Sequence, residues 1–185
     1  NRNFAVLLVI SFVVAIELPF YYNLTYQFLT EPHTGPGLAE SAAAKAMLLG
    51  QMAEIAVMLL LAPSLKYLGM RSTIVLGILA WPLRYAIFAI GHPTWLVVAA
   101  QCLHGICYSF FFVGGMIAIE RLASKDVRAS AQGLIVFATN GVGMLIGSLL
   151  AGQVAQYFIL APLTVLDAAT GVETLVEQHA WAKIF

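Results

Sequence analysis

Gln51 and Glu54 stand three residues apart inside an apolar run, Ala42 to Leu65, long enough to cross a bilayer. Glu54 lies 12 positions in from Ala42, about 18 Å of helical rise, which is close to the middle of the hydrocarbon core. A three-residue step turns a helix through about 300°, so amide and carboxyl share one face. A carboxyl at that depth costs about 3 kcal/mol on insertion scales and is found facing a bundle interior or a wet cavity. Two roles fit: a protonated glutamate that joins two helices, or a patch that binds a solute and carries a proton.

Other polar side chains fall at similar depth. Gln101, His104 and Tyr108 recur at i, i+3 and i+7 along one helix and form a stripe that continues toward Ser109 and Phe112. His104 is about 15 Å deep by helical rise, where a neutral imidazole can both donate and accept. A helix contact and a functional role are both open for it. Of Phe110, Phe111 and Phe112, only the one beside Tyr108 can stack on a ligand. Thr139 and Asn140 are the polar exceptions in another run, and Asn140 can bond a neighbouring helix or a solute. Glu17 and Arg84 are the remaining buried charges. Arg84 is six residues from Ile90, about 9 Å inward by rise, so it can snorkel to the outer interface or neutralise Glu54 or Glu17. Together these groups suit a neutral polar organic solute.

The elements that must hold them are membrane helices. Hydrophobic residues are 61% of the chain and charged ones 10%, with mean hydropathy +0.90, far from a soluble domain. The expected spans are Phe4 to Phe28, Ala42 to Leu65, Ser72 to Ile90, Thr94 to Ile119 and Ala129 to Phe158, and a sixth run starts at Ala180. The period-two pattern of an outer-membrane barrel is absent. Pro19 and Pro82 fall inside spans and mark kinks. Gly143, Gly147 and Ala151 repeat at four-residue spacing, the small-residue pattern that lets helix backbones approach, and read as a packing face. Thr30 to Ser41 reads as an exposed, turn-rich outer connection. Ile159 to His179 reads as the other one, holding a short amphipathic piece marked by Val165, Leu166, Val172, Leu175 and Val176.

Arg2, Lys66, Arg71, Arg121, Lys125 and Arg128 cluster on one side, against Lys45 and Lys183 on the other. The first side is expected to be cytoplasmic. Glu31, Glu40, Asp167, Glu173 and Glu177 fall outside. Zero net charge excludes a nucleic-acid footprint. Cys102 and Cys107 are about 8 Å apart on one helix, too far to bridge. One histidine with scattered carboxylates makes no metal site. No phosphate loop, nucleophile elbow or cofactor motif appears, so the chemistry expected is translocation, not an enzyme's. The chain starts at Asn1 and ends inside an apolar run, which reads as a piece of a longer protein.

The link Pro63-Ser-Leu-Lys-Tyr-Leu-Gly69-Met-Arg71 resembles the loop that marks the major facilitator superfamily. Gly50-Gln51-x-x-Glu54, Ala80-Trp81-x-Leu83-Arg84-Tyr85-x-x-Phe88-Ala89 and Arg128-Ala-Ser-Ala-Gln132-Gly133 leading to Thr139-Asn140-Gly141 resemble, in order and spacing, the bacterial nucleoside:proton symporters of that superfamily. The resemblance implies an all-α six-helix half-bundle, residues 1–185, made of helices 7 to 11 and the start of 12. The partners it implies are a nucleoside, protons, the lipid of a bacterial inner membrane and an amino-terminal half outside this chain. It places Gln51 and Glu54 in a pocket that reads ribose hydroxyls or base edges, and Tyr108 at an aromatic pocket position. Departures are Pro19 and Tyr22 where the family has Gln and Asn, Ser109 where it has an acid, and His104 where it has Tyr. Glu54 or His104, and beyond them Glu17, are then the candidates for the proton-linked role. A permease for another polar solute, such as a sugar or oligosaccharide, and a transport-dead membrane sensor are the alternatives.

Overall fold

In the computed structural model, which describes residues 2–166 and 173–185, the apolar runs form five helices long enough to span a membrane. They are α1 (Arg2–Thr30), α2 (Glu40–Tyr67), α3 (Gly69–Ile90), α4 (Thr94–Leu122) and α5 (Lys125–Tyr157). Each extends the expected span by up to a turn at one or both ends, because backbone groups of flanking polar residues are also best satisfied within the helix. Pro19, Pro63 and Pro82 lie inside continuous helices. A single residue, Leu68, separates α2 from α3, and Gly69 turns the chain there at φ 81°. Gly91, at φ 73°, closes α3 and donates its N–H to Ile87 O.

Two stretches depart from α geometry. Cys107–Val113 in α4 and Phe137–Gly143 in α5 are π-helical, each widening one turn of its helix. Such widened turns are concentrated at functional sites.

α1 packs along α5, while α4 packs into the angle between α2 and α3. The small-residue face of α5 meets α1. A Cβ on Gly147 would collide with Ile16 O and come within 2.9 Å of Pro19 Cδ, and one on Gly143 would sit 2.8 Å from Ala15 Cβ. Ala151 is fully buried in the same seam. The main core gathers Tyr21 and Phe28 of α1, Trp81 and Phe88 of α3 and Phe111 of α4.

The segment after α5, expected to hold a short amphipathic piece, takes strand form over its described residues. It is a hairpin of β1 (Ile159–Leu166) and β2 (Glu173–His179), antiparallel, with Ile159 opposite His179 and Leu166 opposite Glu173. β-branched Thr164, Val165 and Val176 favour the pleated form. The ladder is irregular between Leu160 and Leu163, where Pro162 has no N–H to contribute. Val172 and Asp167 lie outside the described residues. The run from Ala180 forms a short helix, α6 (Trp181–Ile184), whose Trp181 and Ile184 are buried in the main core. The connection after α1 is only partly exposed. Glu31 is buried there and Leu38 packs on the core.

Candidate functional site

α2 and α4 cross where Gly105 has no side chain. A Cβ there would lie 2.6 Å from the carbonyl carbon and oxygen of Ala53 and 2.8 Å from the Glu54 nitrogen. Ser109 reinforces the crossing by donating its hydroxyl to Glu54 O at 3.2 Å. Ser109 is therefore a helix clamp, fully buried, and not a pocket group. The close approach sets His104 of α4 beside Gln51 and Glu54 of α2. The Gln51 amide is 3.3 Å from His104 Nε2, and the Glu54 carboxylate oxygen Oε2 is 3.9 Å from the same nitrogen.

His104 is fully buried, Glu54 has a side-chain exposure of 20% and Gln51 is exposed. The imidazole thus forms the floor of the site and the two α2 side chains form its open edge. Tyr21 of α1 stacks on the imidazole with ring centroids 4.6 Å apart and planes at 16°. Tyr22 meets it edge-on at 6.1 Å and Tyr108 tilts against it at 6.1 Å. Tyr21 also donates its hydroxyl to Gln101 Oε1 at 3.2 Å, so the buried Gln101 holds the stacked ring in place. Gln101 and His104 do share a face, as their spacing suggests, but Gln101 supports the site from behind.

Arg84 neither snorkels to the interface nor neutralises Glu54 or Glu17. It is fully buried, and among the described residues no carboxylate comes within ion-pairing distance of it. Its guanidinium carbon lies 4.1 Å from the Tyr21 ring centroid, 4.7 Å from Trp81, 5.1 Å from Tyr85 and 6.0 Å from Phe88. Four ring faces therefore supply the negative potential that stabilises a cation inside a bilayer, where an isolated charge is costly. Its Nη1 is 3.2 Å from His104 Nδ1.

The other named residues fall elsewhere. Tyr108 reaches a second cavity of ≈ 220 Å³ between α1, α4 and α5, where it meets Phe112, Ser11, Thr139 and Asn140. Both π-helical turns border this cavity, and Tyr108 joins it to the His104 cluster. Asn140 therefore lines that cavity. Thr139 satisfies itself on its own helix, donating to Ile135 O at 2.7 Å. Phe112 is the phenylalanine beside Tyr108, with centroids 5.5 Å apart, whereas Phe110 and Phe111 are buried. Glu17 lines a separate groove with Phe20, Tyr85, Leu150 and Phe185. Arg128 is half-buried at the start of α5 and pairs with Glu120 at 3.3 Å. Cys102 and Cys107 are free. No group of metal-ligating side chains occurs among the described residues.

Tyr21 is the site residue that sequence reasoning missed. The sequence carries a signal for it: four positions after Glu17, Tyr21 lies on the same side of α1.

Over residues 1–172 the chain matches the family described as nucleoside H+ symporter. It is 28% identical over 166 residues to nucleoside permease NupG of Escherichia coli (strain K12), with 85% of this chain and 40% of that protein covered. It is 29% identical over 166 residues to the xanthosine permease of the same organism, again with 85% and 40% covered. The chain therefore spans 40% of the length of each permease. The crystal structure of nucleoside transporter NupG superimposes with a TM-score of 0.79 at 26% identity, over 100% of this chain and 44% of that one. The five membrane helices, their packing and the family match together place the fold in the major facilitator superfamily, and the chain belongs to the nucleoside H+ symporter family.

Proposed function

We propose that this chain is the carboxy-terminal half of a twelve-helix transporter that carries nucleosides with protons across the bacterial inner membrane. In this reading α1 to α5 are helices 7 to 11, and α6 begins the twelfth. The solute is held between two six-helix halves, and access alternates as the halves rock.

The observation that carries the reading is the uncovered polar edge of α2. Near the middle of a membrane helix, the Gln51 amide is exposed and the Glu54 carboxyl is only partly covered. Polar groups at that depth need polar partners. A nucleoside supplies hydroxyl donors for the carboxylate, carbonyl and ring-nitrogen acceptors on the base, and a flat ring for Tyr22 and Tyr108. The names of the relatives, a nucleoside permease and a xanthosine permease, support the same class. Glu54 is the carboxyl of this cluster, so it is also the group that carries the proton.

The test uses the full-length protein in proteoliposomes. Labelled uridine and adenosine uptake should be driven by an inward proton gradient and should resist excess hexose. Competition by hexoses but not by unlabelled nucleosides would replace this reading with a sugar permease. Binding with no counterflow would replace it with a sensor.

A further inference from the structure

The pair formed by Arg84 and His104 fixes a proton. A guanidinium has five N–H donors and no acceptor. With Arg84 Nη1 3.2 Å from His104 Nδ1, that ring nitrogen must present its lone pair. A neutral imidazole carries one N–H, so the proton sits on Nε2. The Gln51 amide nitrogen, 3.3 Å away, would then place a donor against a donor. Turning the amide over puts its oxygen there, in the same space, and resolves the conflict.

We infer that Arg84 is a positioning residue of the binding face, which acts through His104 by holding the imidazole as its Nε2–H tautomer. The inference rests on the proposed nucleoside reading only for the identity of the solute. On the pocket side, the Nε2–H is then taken by the Gln51 oxygen, which turns the Gln51 NH2 group outward as a donor beside the Glu54 carboxylate. The 3.9 Å between Nε2 and Glu54 Oε2 is too long for a hydrogen bond, so Glu54 stays available to a solute hydroxyl. A ligand that places an acceptor next to a hydroxyl donor completes the set.

The environment of the imidazole supports the assignment from every side. Tyr21 and Tyr22 of α1, Glu54 and Gln51 of α2, Arg84 of α3 and Tyr108 of α4 face it. Only Arg84 addresses Nδ1, and Arg84 is itself immobilised by four rings. A lysine-like swing away from the histidine is closed to it. Because Nε2 already holds the proton and Nδ1 is engaged by a cation, His104 is a fixed donor and not the proton carrier.

The tautomer is directly observable. In 15N-histidine-labelled full-length protein, with the His104 signals assigned by their loss in His104→Gln, the wild type should show an unprotonated Nδ1 and a protonated Nε2. Arg84→Met should convert this to a mixture of tautomers. A protonated Nδ1 in the wild type, or an unchanged pattern in Arg84→Met, overturns the inference. Should Arg84→Met fail to fold, the two amide replacements of His104 decide. Asparagine places its oxygen near the Nδ1 position and keeps an acceptor for Arg84, while glutamine extends an N–H toward the Nε2 position. His104→Asn should bind uridine more weakly than His104→Gln, on the order of 10-fold for one lost hydrogen bond. Equal or reversed affinities overturn the inference. A wild type with the stated tautomer that binds no nucleoside supports the inference and removes the nucleoside reading alone.

Discussion

The carboxylate of Glu31 takes two bonds from His179. Its Oε1 accepts the backbone N–H at 2.7 Å and its Oε2 lies 3.0 Å from Nδ1. The residues are 148 apart in sequence and both are buried. Thr34 adds a third donor to Oε1 at 2.6 Å. The end of α1, the connection after it and the hairpin are thereby tied at one point. His179 also stacks on Trp181, centroids 4.9 Å apart, which extends the tie into the main core.

Glu31→Ala leaves a buried N–H and a buried imidazole without an acceptor. Breaking a buried pair by removing one partner costs about 3 kcal/mol. The expected outcome is a lower Tm of the purified full-length protein, with hydrogen exchange accelerated first at His179. An unaltered Tm would show that the hairpin is held by its own ladder.

Two glycine seams make a contrasting pair of predictions. Gly105→Val should prevent folding, because any Cβ there meets α2 backbone at 2.6 Å and backbone cannot be displaced cheaply. Gly147→Leu should do the same between α5 and α1. Gly152→Ala, on the exposed side of α5 with nothing within 4 Å of the new Cβ, should be tolerated, with a gain of up to about 1 kcal/mol in helix propensity. Expression and thermal melting in detergent check all three. A normal Gly105→Val protein would mean that α2 and α4 cross farther apart than a 2.6 Å Cβ contact requires.

The spans were legible because hydropathy over some twenty residues is a strong signal, and the Gly143, Gly147, Ala151 face because close backbone approach has few sequence solutions. Three features were not legible, each for a definite reason. A short apolar stretch such as Leu163 to Leu166 fits a strand and an amphipathic helix equally until its pairing partner is known. A π-helical turn changes hydrogen bonding without changing composition, so Cys107–Val113 left no pattern. Arg84 has a side chain long enough to reach several destinations, and only the convergence of Tyr21, Trp81, Tyr85 and Phe88 selects one. The grouping of Gln51, Glu54 and His104 was half visible: spacing put the first two on one face, but the contact to His104 depends on the α2–α4 crossing at Gly105.

Orientation is tested by accessibility. The six-to-two cation asymmetry predicts that the α2–α3 and α4–α5 links face the cytoplasm. A cysteine replacing Lys125 should resist an impermeant thiol reagent in intact right-side-out cells and react after permeabilisation, while one replacing Glu173 should react in both. Labelling at position 125 in intact cells would invert the assignment.

The last prediction concerns the proton. With Ser109 spent on the Glu54 carbonyl and His104 held as the proposed fixed donor, Glu54 is the group of the cluster expected to gain and lose a proton while a solute is bound. Glu54→Gln keeps the shape and one acceptor but cannot ionise. It should fold, bind nucleoside about 10- to 150-fold more weakly if a charged hydrogen bond of about 1.5 to 3 kcal/mol is lost, and catalyse at most equilibrative exchange. Gln51→Ala should weaken binding while leaving whatever uptake remains sensitive to the proton gradient, because the amide takes no part in ionisation. The two variants therefore separate affinity from coupling. Concentrative uptake by Glu54→Gln would move the coupling site to Glu17, in its own groove beside Tyr85, or to the other half of the transporter. A wild type that never concentrates nucleoside would make the protein a facilitator.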